Sequence, residues 1–273
     1  MDRILFLGTA GSRDVVAKQF RCSGGIIIQS GDNTFHIDPG PGSIVRAQQF
    51  GVNLREVTAL LVSHNHSGHV HDVNAVIDAI TLAGQDVKSV LLASKSVFEG
   101  YANCQKVLSD FNKSQMEKAI ALEPLQKVGI NDVEVRALRA KHSDPDTLGF
   151  GIYAPNFSVA YSSDTKYFRE MEDDYKDLDI LILNVQDPFN VKGDGLNSED
   201  AVKILEKVKP RLTIISHFGL KMLKQDPVAE ARDIQNKTDC QVVSAKDGLS
   251  ISTHNFAASI RQQKLNSFEN EDS

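Results

Sequence analysis

Four of the chain's eight histidines stand within eight residues, at His64, His66, His69 and His71. Neutral imidazole is a common ligand of divalent metals, and an alternating His-x-His lets two rings converge on one ion. A solvated histidine-rich loop is the alternative. The regular spacing, the apolar run 59–62 just before the loop and further ligand-type residues downstream favour a metal site, whose chemistry would be the activation of bound water.

The same arrangement, an apolar strand followed by a polar residue, recurs along the chain. The predicted strands and their followers are Ala59–Val62 with His64, Val133–Leu138 with His142, Phe157–Tyr161 with Asp164, Leu181–Val185 with Asp187, and Leu212–Ser216 with His217. In α/β sheets, ligands bind outside the carboxyl ends of strands. The pattern therefore predicts that these side chains share one rim.

The remaining segments are predicted to support that rim. The chain opens on a strand at Ile4–Leu7, and a hairpin then ends in the rigid turn Asp38–Ser43. His36 falls inside a strand of this hairpin and is expected to be a core histidine. Helices are predicted at 44–50, at 72–82 with Asp72 as N-cap, at 94–111 with Tyr101 and Cys104 on the buried face, and at 227–236.

Composition is that of an ordinary globular protein, with 273 residues, 41% of them hydrophobic and 24% charged. The formal net charge of −6 provides no basic field for nucleic acid, which is therefore not favoured as a partner. Three scattered cysteines and the lack of a long apolar run indicate a cytoplasmic protein without disulfides or a membrane span. One domain is predicted over 1–254, with a polar, flexible tail over 255–273, and a homo-oligomer is left open.

Several short motifs resemble the metallo-β-lactamase superfamily in kind and in order. They are Phe6-Leu7-Gly8-Thr9, Ser23-Gly24-Gly25-Ile26, Asp38-Pro39-Gly40-Pro41-Gly42, His64-x-His66-x-x-His69, His142-Ser143-Asp144-Pro145, Ser163-Asp164-Thr165 and Ser216-His217-Phe218-Gly219. The resemblance covers nearly the whole chain and is to an archaeal or bacterial branch of metal-dependent hydrolases. It implies an α/β fold, a four-layer αββα sandwich of two mixed β-sheets, with the metal site at one edge.

Carried over by position, the resemblance also implies roles for individual residues. His64, His66 and His142 would hold a first metal, Asp164 would bridge two ions, and His69 and His217 would serve the second. Asp164 and His217 are the expected catalytic residues, while Asp38 and Asp72 are expected to support the ligands from outside. The family's loop carries Asp where this chain has Gly68, so the second ion would have one anionic ligand fewer.

The function implied is a hydrolase with one or two divalent ions, with Zn²⁺ expected and Mn²⁺ or Fe as alternatives. The substrate would be a small-molecule ester, lactone or amide, or a phosphodiester. A second hypothesis is a weakened or inactive protein that binds metal or ligand, because of Gly68. A third is a nuclease resembling those that process tRNA 3′ ends, which the negative net charge of the chain disfavours. Redox chemistry is disfavoured because no electron-carrying domain is evident.

Overall fold

The structure is a computed structural model that describes residues 2–256 and 258–260. Its strands are β1 (Arg3–Phe6), β2 (Ile26–Ser30), β3 (Asn33–Ile37), β4 (Ala59–Val62), β5 (Val90–Ser94), β6 (Lys118–Leu122), β7 (Lys127–Ile130), β8 (Val133–Arg139), β9 (Leu148–Tyr153), β10 (Ser158–Tyr161), β11 (Ile180–Asp187), β12 (Leu196–Asn197), β13 (Leu212–Ser216), β14 (Val242–Ser244), β15 (Leu249–Ser252) and β16 (Ala258–Ile260). Its α-helices are α1 (Arg13–Lys18), α2 (Ser43–Gln49), α3 (Ser67–Val70), α4 (Val73–Thr81), α5 (Lys95–Glu99), α6 (Asp110–Ser114), α7 (Met171–Asp174), α8 (Ser198–Val208), α9 (Leu220–Gln225) and α10 (Pro227–Thr238). A 3₁₀ turn covers Leu54–Glu56.

Two mixed sheets are built from successive parts of the chain, except that β15 and β16, which follow the second sheet in sequence, return to the first. The first has the order β16-β15-β1-β2-β3-β4-β5-β6, and the second has the order β14-β13-β11-β10-β9-β8-β7, with β12 paired to β11. β3, β4, β5 and β6 are parallel in the first sheet, and β10, β11, β13 and β14 are parallel in the second.

Three apolar cores show how the layers stack. The central core joins inward side chains of both sheets, such as Phe35 of β3 and Phe150 of β9. A second core packs the outer face of the first sheet against α2 and α4, and a third packs the outer face of the second sheet against α7, α8 and α10. Each sheet thus buries both faces, as expected where neighbouring strands are parallel, and the predicted αββα sandwich is confirmed.

The strand directions bring the ligand-type residues to one rim. β8 is antiparallel to β9, and β9 is antiparallel to β10, so β8 runs in the same direction as β10. Its carboxyl end, which leads to His142, therefore lies beside the ends of β10 and β13, which lead to Asp164 and His217. In the first sheet, the ends of β3 and β4 lead to Asp38 and to His64.

The predicted helix over 94–111 is wrong. Its N-terminal part is α5, which stops at Gly100, where the backbone has a φ of +74°. An irregular segment follows, in which Tyr101 and Cys104 pair through their backbones. Cys104 is exposed and Tyr101 is only half-buried, so neither lies on a buried helix face.

The last described strand extends past the predicted domain boundary. β16 pairs with β15 beyond residue 254, and the predicted tail residues 261–273 lie outside the described residues.

The cysteines form no disulfide in the described part of the chain. Cys22 and Cys240 are buried and all three thiols are free. None of the helices in the described part of the chain has the length and apolar composition needed to cross a membrane.

Candidate metal centre

Three ring nitrogens converge at the rim to form a first donor group. The Nδ1 atom of His66 lies 3.1 Å from Nε2 of His64 and 3.1 Å from Nε2 of His142. A tetrahedral ion with ligands at ~2.0–2.1 Å would separate neighbouring nitrogens by about 3.3 Å. The three atoms therefore already stand near the spacing that one ion requires, and these residues form a group able to hold a metal.

Asp164 lies between this first group, His64, His66 and His142, and a second group that we define as His69, His217 and Asp164 itself. Its Oδ2 atom lies 3.9 Å from the Nε2 atoms of both His64 and His142, and 3.3 Å from Nε2 of His69. Its Oδ1 atom lies 3.0 Å from Nε2 of His217 and accepts a hydrogen bond from Asn184 at 2.8 Å. The carboxylate thus faces donors on both sides, and His64, His69 and Asp164 form a further group able to hold a metal.

An orphaned nitrogen and a small cavity mark the second group. Nε2 of His217 is buried and makes no hydrogen bond of good geometry, although Oδ1 of Asp164 lies 3.0 Å away, a close approach that a shared ion would explain. A cavity of about 30 Å³ is lined by His69, His217, Gly68 and Asp38. This volume exceeds the minimum for one water molecule, so the imidazoles of His69 and His217 border a space large enough for a water-sized guest.

Asp38 lies next to the second group and contacts it through His69. Its Oδ2 atom accepts hydrogen bonds from Nδ1 of His69 at 2.9 Å, from the Ser63 hydroxyl at 2.7 Å and from the Tyr161 hydroxyl at 2.8 Å. With Nδ1 of His69 donating, Nε2 of that ring is the atom left to serve as a ligand. Asp38 therefore fixes the tautomer of His69.

Tyr101 touches the first group and was missed by the sequence prediction. Its hydroxyl lies 2.9 Å from Nε2 of His66. Burial and a hydrogen bond with Cys104 raise the pKa of Tyr101 to about 12, so the hydroxyl is neutral. The motif pattern offered no signal for this contact, because Tyr101 lies 35 positions from His66 in an irregular segment.

Asp144 ties the loops of the first group together. It is fully buried, and its Oδ2 atom accepts hydrogen bonds from the backbone amide of Asn65 at 2.9 Å and from the Ser96 hydroxyl at 2.6 Å. Asn65 stands between His64 and His66, while Asp144 follows His142 by two positions. The sequence showed Asp144 within a motif but gave no role for it.

Three residues at the rim have left-handed backbones, each directly after a strand or within two residues of one. The φ angles are 51° at Asp38, 55° at Ser163 and 62° at His217. Such conformations are unfavourable for residues other than glycine and cluster at functional sites. They turn the chain sharply at the rim, next to or at the ligand-type residues.

The histidine pKa values differ between the two groups. Burial, followed by the neighbouring His142, lowers the pKa of His66 to about 4, and burial also lowers the pKa values of His64 and His142. For His69, burial opposes protonation, but the carboxylates of Asp164 and Asp38 outweigh it and raise the pKa to about 10. In the metal-free protein at neutral pH, the first group is therefore neutral and His69 carries a proton.

Asp72 and His71 lie apart from the donors. Asp72 occupies the N-cap position of α4, but its side chain makes no capping bond. Its carboxylate instead accepts a hydrogen bond from the amide of Gly42 at 2.9 Å and lies 3.1 Å from Nδ1 of the exposed His71. The N-cap position is thus as predicted, and the Asp72 carboxylate braces the turn that follows Asp38 instead of capping the helix or contacting a histidine of the two groups.

Comparison with known proteins places this fold and site in a family. Residues 33–218 match the family model described as the beta-lactamase superfamily domain. The chain is 33% identical over 251 residues to the uncharacterized protein MJ1374 of Methanocaldococcus jannaschii, covering 91% of this chain and 94% of that protein. It is 27% identical over 175 residues to a ribonuclease Z of Methanopyrus kandleri, covering 63% of this chain and 57% of that enzyme.

A solved structure agrees with the sequence comparison. The metallo-beta-lactamase fold protein YhfI from Bacillus subtilis superposes with a TM-score of 0.75 at 18% identity, over 91% of this chain and 98% of that one. The match to the family model spans more than half of the chain and includes His64, His66, His69, His142, Asp164 and His217. The chain therefore belongs to the metallo-β-lactamase superfamily, a family of metal-dependent hydrolases.

Proposed function

We propose that the protein is a hydrolase that holds two divalent ions, preferably zinc, and cleaves phosphodiester bonds. The observation that carries this proposal is the approach of Nδ1 of His66 to 3.1 Å from Nε2 of both His64 and His142, beside the carboxylate of Asp164. His64, His66 and His142 would hold the first ion. His69 and His217 would hold the second, with Asp164 between the two ions.

When bound, such ions lower the pKa of a coordinated water and stabilise charge on the substrate oxygen. The chain's own residues provide the frame for this chemistry. Asp164 is held by the amide of Asn184 at 2.8 Å, which fixes the carboxylate between the two groups. Asp38 holds His69, and Tyr161 is buried against Asp38, so the donors are oriented before any ligand arrives.

A phosphodiester is favoured among the substrate classes for two reasons. One relative carries the name ribonuclease Z, which makes phosphodiester cleavage the activity to test first. In addition, the charge of Arg13 acts to lower the pKa of Tyr101, whose hydroxyl contacts His66. A guanidinium whose field reaches the first group suits an anionic substrate.

The test pairs metal analysis with a substrate panel. The purified protein is expected to bind two ions and to hydrolyse bis(p-nitrophenyl) phosphate faster than p-nitrophenyl acetate or an acyl-homoserine lactone. His66→Ala should abolish hydrolysis and retention of the first ion, whereas His254→Ala, which alters a surface histidine paired with Asp2, should change neither. Hydrolysis that survives complete removal of metal would overturn the proposal.

Binding without hydrolysis is the second candidate function, favoured by Gly68. Without a carboxylate at this position, the second group has Asp164 as its anionic donor. This candidate predicts one tightly held ion and no turnover on the panel. A precursor tRNA with a 3′ trailer belongs in the same panel, because cleavage of it alone would identify the third hypothesis.

A further inference from the structure

His66 presents its two ring nitrogens to different partners. Nδ1 faces the nitrogens of His64 and His142, and Nε2 faces the Tyr101 hydroxyl at 2.9 Å. The Ser143 hydroxyl also approaches Nε2, but at 3.5 Å. Tyr101 is therefore the principal partner on the outer side of this ring.

The Tyr101 hydroxyl is held in place by an irregular segment that we call the Tyr101 strap, residues 100–109. Tyr101 and Cys104 exchange backbone hydrogen bonds at 2.9 and 2.8 Å. The Asn65 amide donates to the carbonyl of Gln105 at 2.9 Å. Because Asn65 stands between His64 and His66, the strap is anchored to the loop that carries the donors.

The strap has a second anchor farther along the same stretch of chain. The side-chain amide of Asn74, in α4, donates to the carbonyl of Val107 at 2.8 Å, and its oxygen accepts from the amide of Ser109 at 2.9 Å. Asn65 of the histidine loop thus holds the first half of the strap, and Asn74 of α4 holds the second half. The position of the Tyr101 hydroxyl is set by these contacts and does not depend on the ring of His66 alone.

A neutral imidazole carries one proton, and the nitrogen that bears it cannot bind a metal. For Nδ1 of His66 to act as a ligand, the proton must sit on Nε2, where an acceptor stabilises it. We propose that Tyr101 is a positioning residue that accepts the Nε2 proton of His66 and so keeps Nδ1 free and aimed at the first ion. This inference rests on the proposed function, since it assigns Tyr101 a role in holding that ion.

The other histidines of the first group show why this contact matters. Nδ1 of His64 has the Ser63 hydroxyl at 2.9 Å as its outer partner. Nδ1 of His142 is buried and has no hydrogen-bond partner. Two of the three rings are thus held from outside, and losing the Tyr101 hydroxyl would remove the principal partner of one of them.

The variant Tyr101→Phe tests this role, because it deletes the hydroxyl and keeps the ring. Outer partners of metal-binding histidines contribute roughly 10- to 100-fold to metal affinity. We expect the affinity for the first Zn²⁺, measured by chelator competition, to fall by that factor. The matched control is Tyr167→Phe, which removes a hydroxyl bonded to Glu172 at 2.7 Å and should leave the affinity unchanged.

A spectroscopic measurement separates positioning from a general loss of structure. Nitrogen-15 correlation spectra of histidine-labelled, zinc-loaded wild type are expected to show His66 protonated at Nε2 and metal-bound at Nδ1. The absorption bands of the Co²⁺-loaded protein should shift in Tyr101→Phe and not in Tyr167→Phe, while both variants keep the wild-type melting temperature of the metal-free protein.

The outcomes distinguish this inference from the proposed function. If wild type binds no metal, the proposed function fails. If wild type binds metal with Nε2 of His66 unprotonated, or if Tyr101→Phe retains wild-type affinity and Co²⁺ spectrum, the role of Tyr101 is overturned and the metal site stands.

Discussion

The Oδ2 atom of Asp164 lies 3.3 Å from Nε2 of His69, and the same atom lies 3.9 Å from donors of the first group. One carboxylate thus contacts the second group and approaches the first. Burial alone would raise the pKa of Asp164, but His217 and His69 outweigh it and hold the pKa well below its ordinary value. The carboxylate is therefore charged at every pH at which the protein would work.

Removing the charge of Asp164 should weaken metal binding at both groups. We expect Asp164→Asn to lower the metal content from two ions to one or none, because an amide is a poorer ligand than a carboxylate. Turnover should fall at least about 100-fold, because losing a ligand should cost no less than losing an outer partner of a ligand, which costs roughly 10- to 100-fold. Metal analysis by mass spectrometry and steady-state assays measure both effects. Asp86→Asn, which removes a surface partner of Arg55, serves as the control, and two ions in Asp164→Asn would contradict the bridging role.

Proton release should differ between the two ions. The pKa of His66 is lowered to about 4 and the pKa of His69 is raised to about 10. At pH 7.5, the first ion should therefore bind to neutral rings, while the second must displace about one proton from His69. Affinity for the second ion should rise with pH up to about 10, and affinity for the first should stay flat above about pH 6.

Titration calorimetry in buffers of different ionisation enthalpy measures this release. The slope of observed enthalpy against buffer enthalpy gives the protons released for each ion. Equal proton release for both ions would contradict the division into a neutral group and a charged one.

Gly68 offers space for a carboxylate. A Cβ atom built there would meet only Cγ2 of Val16, at 3.9 Å. We expect Gly68→Asp to fold normally and to raise affinity for the second ion at least about tenfold, because it adds an anionic donor beside His69. Chelator competition measures the change, and Gly68→Ala, which adds volume without charge, should leave it unaltered.

Gly40 packs against the backbone of Gly68 and, unlike Gly68, has no room for a side chain. A Cβ atom there would lie 2.0 Å from the carbonyl oxygen of Gly68 and 2.1 Å from that of Ser23. Gly40→Ala should lower the free energy of unfolding by about 3 kcal/mol, as overpacking does. Thermal melts that rank Gly68→Ala below Gly40→Ala in stability would show that the loop contact is described wrongly.

His36 should make stability depend on pH without belonging to the metal site. It is fully buried, its Nε2 atom donates to the carbonyl of Gly24 at 3.0 Å, and burial lowers its pKa to about 4. Since the unfolded chain binds this proton near pH 6.5 and the folded chain does not, the contribution is present above pH 6.5 and is lost as the pH falls towards 4.

The measurement compares wild type with His36→Gln by urea unfolding between pH 7 and pH 4.5. Wild type should lose roughly 1.4 kcal/mol per pH unit more than the variant, the value for one proton. Contributions from the other histidines cancel in the difference. Identical slopes in the two proteins would show that His36 does not titrate in this way.

That the ligand-type residues meet at one rim could be predicted from the sequence, because their placement follows from strand direction. His64, His142, Asp164 and His217 each follow an apolar strand, and the carboxyl ends of those strands meet at one rim. Their spacing in the chain therefore carries the information. Asp38 was predicted to support the histidine loop, and the structure places it on His69.

The sequence could not predict the contacts that depend on irregular backbone. Val97, Tyr101 and Cys104 have the spacing of a helix face, but Gly100 takes a positive φ with an extended ψ and ends α5. Tertiary contacts, such as that of Asn65 with Gln105, then decide the path of the strap. Tyr101 contacts His66 only because of that path, so no local sequence pattern could predict the contact.

The two sheets come from successive stretches of chain, the first mainly from residues 3–122 and the second from 127–244. His64, His66 and His69 belong to the former stretch, and His142, Asp164 and His217 to the latter. Neither stretch carries a complete donor set. A bound ion would therefore cross-link the two stretches of chain through their side chains. Its retention would show that the two sheets are correctly packed against each other.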